Sequence, residues 1–397
     1  MNVFTKNIQP TGRVAYLPAR LLRPLLLLAM AASSGCATVG YYAQAVNGHF
    51  DLMSKRQPLE QVMNSEDTDP EIRRKLELLR DARKFAVAEL GLPDNNSYNT
   101  FVKTDKKNVT WNVVATPEFS MSPKTWCFPV AGCVTYRGYF AEADAQSYEA
   151  KLKTQGFDTQ IGGASAYSTL GWFDDPLLDT MLRGSDIRLS GVLFHELAHQ
   201  VLYVKNDSSF NEAFATFVEQ QGVKVWLESL GRHDTIPAYE TYLDRQVDFN
   251  QLLQQTRADL VNLFREQPPL EGEGADNSQL REAKLAVFDS MVENYKVLKA
   301  ERWDGYDGYD NWFAKETNNA RLIAVSTYLK WVPAFEVLFE ESGSDFKAFY
   351  AAATELSKLP FEERRTQLQD YLDTSQEVSA DNGSLDSAGN AADIAKR

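Results

Sequence analysis

His195, Glu196 and His199 stand together in GVLFHELAHQ, residues 191–200. On a helix, side chains four apart share a face. The two imidazoles can therefore grip one cation, and Glu196, one step round, can reach a water bound to it. This is the HExxH spacing, in which two histidines hold zinc and the glutamate acts as general base in hydrolysis. The chain has only four histidines, His49, His195, His199 and His233. A chance match is expected in roughly a few chains per thousand of this length. The competing reading is a buried helix with two hydrogen-bonded histidines.

A two-histidine site needs a third protein ligand and an open position for water. The extended pattern HExxHxxGxxH is excluded, because Leu202 and Lys205 occupy its last two places. A glutamate from a following helix is the other source. The stretch SFNEAFATFVE, residues 209–219, has the required character. Ser208 or Ser209 can cap it, and Phe210, Phe214, Phe217 and Val218 form an apolar stripe. Glu212 falls in its first turn, where the helix dipole favours a carboxylate. The turn KNDS at 205–208 would fold this helix back on the first.

HExxH followed by NExFAxxxE resembles the gluzincin metallopeptidases, including the zinc aminopeptidases. More closely, the chain resembles a family of predicted bacterial aminopeptidase lipoproteins. The stretches that carry this are WCFPVAGCVTYRGYF (126–140), AYSTLGWFDDP (166–176), HELAHQ (195–200), FNEAFATFVE (210–219) and NNARL…Y…WVPAF (318–335). The resemblance implies one zinc ion per chain, held by His195, His199 and Glu212, with Glu196 as base and a peptide as substrate. It also implies that Glu219 orients a ligand histidine, with Asn211 in the same supporting shell.

Zinc peptidases usually supply a further group to steady the oxyanion. With so few histidines a tyrosine is expected, and Tyr328, Tyr167 and Tyr136 lie in the family-like stretches; Tyr328 is singled out. The zinc aminopeptidases also carry a glutamate that recognises the free N-terminal amine. That residue is missing here, leaving Asp174, Asp175 or Glu118 as substitutes and endopeptidase action as an alternative. A non-catalytic envelope-binding lipoprotein with a structural zinc is the second alternative. The presence of Glu196 argues against it, since a structural site needs no base.

Those residues need a scaffold. Residues 108–119, 130–140 and 159–173 read as strands, with a helix over 141–155. Residues 162–173 are the expected edge strand against which a peptide could lie. Asp69-Pro70-Glu71 is a strong helix start, and that helix should run to Leu90. After Gly231 the chain is mainly helical, with long helices at 249–264 and 280–300 and a single helix over 318–335. The expected fold class is α+β, mostly helical. A small mixed sheet with an edge strand sits beside the HExxH helix, and a helical C-terminal region follows.

Residues 1–35 carry Lys6, Arg13, Arg20 and Arg23 and no acid, around an apolar run too short to span a bilayer. Ser-Gly-Cys at 34–36 resembles a lipobox, with Cys36 lipidated after cleavage. The expectation is a protein anchored by lipid at the outer membrane, facing the periplasm, with no transmembrane helix in the mature chain. Ordinary cleavage to a soluble periplasmic form is the alternative. Loss of the four leader cations takes the net charge from −14 to −18. So acidic a chain does not suit nucleic acid. Cys127 and Cys133 are either a small-loop disulfide or buried thiols. The expected organisation is a leader over 1–35, a peptidase core over 36–230, a helical region over 231–373 and a disordered tail over 374–397.

Overall fold

The computed structural model describes residues 39–128, 132–272, 274–326 and 330–375. Cys36, Tyr328 and most of the tail expected to be disordered lie outside the described residues. The chain divides into two units, Met1–Asp51 and Leu52–Arg397. The described part of the first, 39–51, belongs to α1, a helix over 39–54. Among the described residues no helix is long and apolar enough to cross a membrane.

The second unit is mostly helical with small sheets, an α+β architecture. It opens with β1 (Gln57–Pro58), α2 (Leu59–Asn64) and α3 (Pro70–Ala88). The Asp69 carboxylate accepts from the backbone N–H groups of Glu71 and Ile72, which fixes the start of α3. Next come β2 (Thr100–Val102), β3 (Thr110–Pro117), β4 (Trp126–Phe128), β5 (Gly132–Val134), β6 (Arg137–Tyr139), α4 (Glu142–Lys153), β7 (Phe157–Ala164) and β8 (Leu177–Leu178). The strands form three small sheets: β1-β2-β8, β6-β3-β7 and the hairpin β4-β5. In the second sheet β7 runs antiparallel to β3 from Phe157↔Pro117 to Ala164↔Thr110. Val113 to Thr116 are all buried, so both faces of β3 are covered. In the hairpin Cys127 and Cys133 pair directly and are joined by a disulfide.

The site helices follow: α5 (Asp186–Val201) and α6 (Ser208–Ser229). Helix α6 is buried almost all round, through Phe210, Ala213, Phe214, Ala215, Phe217 and Val218. That is the pattern of a helix at the centre of a core. The remaining helices are α7 (Ile236–Glu266), α8 (Ser278–Glu301), α9 (Asp310–Phe313), α10 (Asn319–Ser326), α11 (Val332–Glu341), α12 (Phe346–Lys358) and α13 (361–375). Aromatic rings join α6 to α11 and α12. Phe214 stacks on Phe349 with centroids 5.7 Å apart, and Phe210 meets Phe335 edge-on at 5.2 Å. A second apolar cluster links α7, α8 and α10 to β3 through Leu253, Phe288, Ile323 and Val114. Asp158 ties it together, accepting from Lys284 Nζ at 2.6 Å and from the backbone N–H of Asn319 at 3.0 Å.

Three sequence expectations are corrected. The strand expected over 159–173 ends at Ala164, and the residues beyond it form a loop anchored by the buried Asp175. The helix expected over 318–335 is two, α10 and α11. Pro333 lies in the first turn of α11, where its missing N–H costs nothing. The cap of α6 is neither Ser208 nor Ser209 but Asp207, which accepts from Phe210 N–H at 3.2 Å.

Asp207 is buried and also pairs with two cations of α13, Arg364 at 2.9 Å and Arg365 at 2.6 Å. Removing one partner of a buried ion pair strands the other. Asp207→Ala should therefore cost about 3–5 kcal/mol, read as a lowered midpoint in urea denaturation.

Candidate metal centre

Helix α5 starts at Ser185, whose hydroxyl accepts from Arg188 N–H. Its buried face, Leu189, Leu193, Phe194 and Leu197, fixes its rotation. That rotation brings His195 and His199 to one face, with ring centroids 4.8 Å apart and planes at 84°. The loop back to α6 is short and held at both ends. Asn211 clasps Val204 with two hydrogen bonds, accepting from its N–H at 2.7 Å and donating to its carbonyl at 2.8 Å. Asn206 Oδ1 accepts from the backbone N–H of Cys133 at 2.7 Å, which ties the loop to the disulfide hairpin.

The second turn of α6, not the first as expected, then delivers Glu212 to the histidines. Glu212 Oε2 lies 3.4 Å from His195 Nε2 and 3.7 Å from His199 Nε2. Ligand atoms from all three residues fall within 4.8 Å of one another. Two turns later on α6, Glu219 Oε2 lies 3.1 Å from His195 Nδ1. The two nitrogens of His195 thus face two carboxylates.

Such closeness needs a thin helix crossing. A Cβ on Gly191 would lie 3.0 Å from Glu219 Oε1, so glycine makes room for that carboxylate. A Cβ on Gly222 would lie 2.8 Å from Leu90 Cδ1 and 3.1 Å from the Phe194 ring. Both glycines sit where α5 and α6 approach.

The electrostatics favour positive charge at this point. Burial opposes protonation of His195, but Glu212 and Glu219 outweigh it and raise its pKa well above the usual value. Burial likewise opposes ionisation of Glu212, yet the two histidines win and bring it down to about 2. Two imidazole nitrogens and one carboxylate oxygen make a donor set that suits a divalent transition metal, with a coordination position left over. The carboxylate on the far nitrogen of His195 is the usual outer partner of a ligand histidine. His199 Nδ1 is buried and has no hydrogen-bond partner among the described residues. By donor chemistry and by field, the three residues fit a metal ion.

Glu196 stands next to this group. Burial raises its pKa above the ordinary carboxylate value, against the pull of His195 and His199. The loop after β7 returns to the same helix end. Ser97 Oγ accepts from Gln200 Nε2 and from Asp175 N–H, both at 3.3 Å, and Gly171 abuts the Gln200 side chain. This loop exposes Trp172 and Phe173.

Asp175 feels the Glu196 charge, and three other sequence candidates have partners of their own. Glu118 is paired with Arg281, Tyr167 packs on Phe140 at 5.3 Å, and Tyr136 packs against the second apolar cluster. The sequence reading missed Tyr203, whose ring centroid lies 6.5 Å from that of His199 and whose pKa is raised by burial and then by Glu212. Helix spacing gives no signal for it, because α5 ends at Val201 and Tyr203 belongs to the loop. A cavity of about 740 Å³, lined by Gln220, Lys224, Gln246 and Glu336, takes in none of the three ligand candidates.

Asp175 gives a pH test of this region. Burial pushes its carboxyl up to about 6, against hydrogen bonds from the Thr169 backbone and hydroxyl. Below the usual value near 3.8 the group is neutral whether the chain is folded or unfolded. As pH rises to about 6 only the unfolded chain ionises, so stability falls over that window and then levels. The loss should be about 2–3 kcal/mol, and Asp175→Asn should flatten it in denaturation curves taken across the window.

No curated protein and no solved structure is significantly similar to the chain. Residues 40–368, nearly the whole described length, match the family described as "Putative aminopeptidase", and the chain belongs to that family.

Proposed function

We propose that the protein is a zinc-dependent aminopeptidase of the cell envelope. The observation that supports this most is the meeting of His195, His199 and Glu212 within one ligand-sized space, with Glu196 beside them. Bound there, zinc would supply a Lewis acid and lower the pKa of a coordinated water toward neutrality. Glu196 takes the proton from the attacking water and hands it to the leaving amine. Its raised pKa suits both halves of that task. Glu219 holds the His195 ring through Nδ1 and leaves Nε2 for the ion. Tyr203, beside His199, is the described tyrosine best placed to offer a hydroxyl to the developing oxyanion, and Tyr328 lies outside the described residues. The basic leader and Cys36 support an export route ending in a lipid anchor.

Glu196→Gln should keep bound zinc and fold while lowering peptide hydrolysis by about 10²–10⁴-fold. His199→Ala should lose metal and activity together. Metal analysis and initial rates on the same preparations check both. The substrates should be aminoacyl-naphthylamides beside N-blocked peptides. Cleavage of the blocked peptides alone would remove the exopeptidase part of the reading and leave the zinc part standing.

Tyr203→Phe should lower kcat, with metal content and KM little changed. A variant with wild-type kcat would return the oxyanion role to another residue.

A further inference from the structure

A second cluster of charged groups lies behind the first turn of α6. It surrounds a cavity of about 630 Å³ bordered by α6, α7, α13 and the start of α11. Arg257 of α7 and Lys330 stand on its wall with Trp331, and Arg365 and Ser209 complete that side. Arg365 is already paired with Asp207 at 2.6 Å. Arg257 and Lys330 have no acid within salt-bridge distance among the described residues, and the Arg257 Nε is buried without a hydrogen-bond partner. Trp331 is 3 % exposed, and its indole N–H is also buried and unpartnered. The acids on the same cavity, Glu362 and Asp370, belong to exposed residues.

All the unsatisfied groups here are donors. Two half-buried cations without counter-ions repel each other, and burial adds to the cost. Lys330 accordingly has a lowered pKa, through burial first and then Arg365 and Arg257. Lys330 Nζ lies 3.9 Å from the Trp331 ring centroid, a contact that offsets only part of that cost. An acceptor-rich anion drawn in beside Arg257 and Lys330 would neutralise the two cations and bring acceptors to the wall that holds the unpartnered N–H groups.

We propose that this cavity binds a single oxyanion group, a carboxylate or a phosphate, between Arg257, Lys330 and the Trp331 indole N–H. Ser209 on its wall is three residues from Glu212, neighbours on one helix face. A ligand there would sit near the helical turn that bears Glu212, the third ligand candidate of the metal site.

Binding is measured without turnover, so the result is independent of whether the metal centre cleaves peptides. The full mature chain is titrated by calorimetry with inorganic phosphate at constant ionic strength set by chloride. It is then titrated with a short peptide bearing a free C-terminal carboxylate, and with the same peptide amidated. Saturable binding of phosphate supports the site as a receptor for a free oxyanion. Binding of the free-acid peptide but not its amide supports a peptide terminus as the source. The variant Arg257→Gln with Lys330→Gln should weaken whichever probe binds by at least tenfold. Removing two uncompensated cations should not harm folding. Trp331→Phe, which keeps a ring and deletes only the N–H, should weaken binding to a smaller extent. Equal response to phosphate and chloride together with equal response to acid and amide peptides would overturn the proposal. So would probe binding that both variants leave unchanged.

Discussion

Two helices can bring polar side chains to one point only if their backbones cross closely. In this protein Gly191 and Gly222 provide that crossing, one on α5 and one on α6. The aromatic packing of α6 against α11 and α12 holds the crossing shut. Three polar contacts then depend on it: Glu212 to each histidine, and Glu219 to the far nitrogen of His195. A thicker crossing would part the carboxylates from the imidazoles and leave four ionisable groups, one buried and three partly buried, without these partners. Buried charge of that kind is tolerated only when paired. Apolar packing and the polar centre therefore stand or fall together.

The short loop between the helices shows how the chain secures this geometry. Five residues, 203–207, separate the C-cap of α5 at Leu202 from α6. Asn211, the residue before the third ligand candidate, uses both ends of its amide on Val204. The disulfide hairpin grips the same loop through Asn206. Such supports fix a site more firmly than its ligands can alone.

Much of this was legible in the sequence because it is local. HExxH and the apolar spacing of 209–219 announce two helices, and KNDS announces the turn between them. What was misread depended on distant partners. Ser208, Ser209 and Asp207 are all good caps by type. The choice fell to Asp207 because Arg364 and Arg365, more than 150 residues on, supply its counter-charge. Residues 165–173 read as strand by their residue types, but the buried Asp175 draws Thr169 into a turn. The break between α10 and α11 was signalled by Pro333 and overridden by the apolar periodicity around it. Tyr203 was invisible to helix-face logic because α5 ends at Val201, so its approach to His199 is a property of the loop.

The bond between Asp207 and α13 sets a sequence of events for the growing chain. Its carboxylate heads the helix that bears Glu212, yet both of its cations lie in the last described helix. Until residue 365 has been made, that carboxylate must stay hydrated, and the head of α6 cannot settle into the core. The His195, His199 and Glu212 cluster is therefore a late product of synthesis. It is withheld from any nascent fragment that stops short of the final helix, however complete its own motifs.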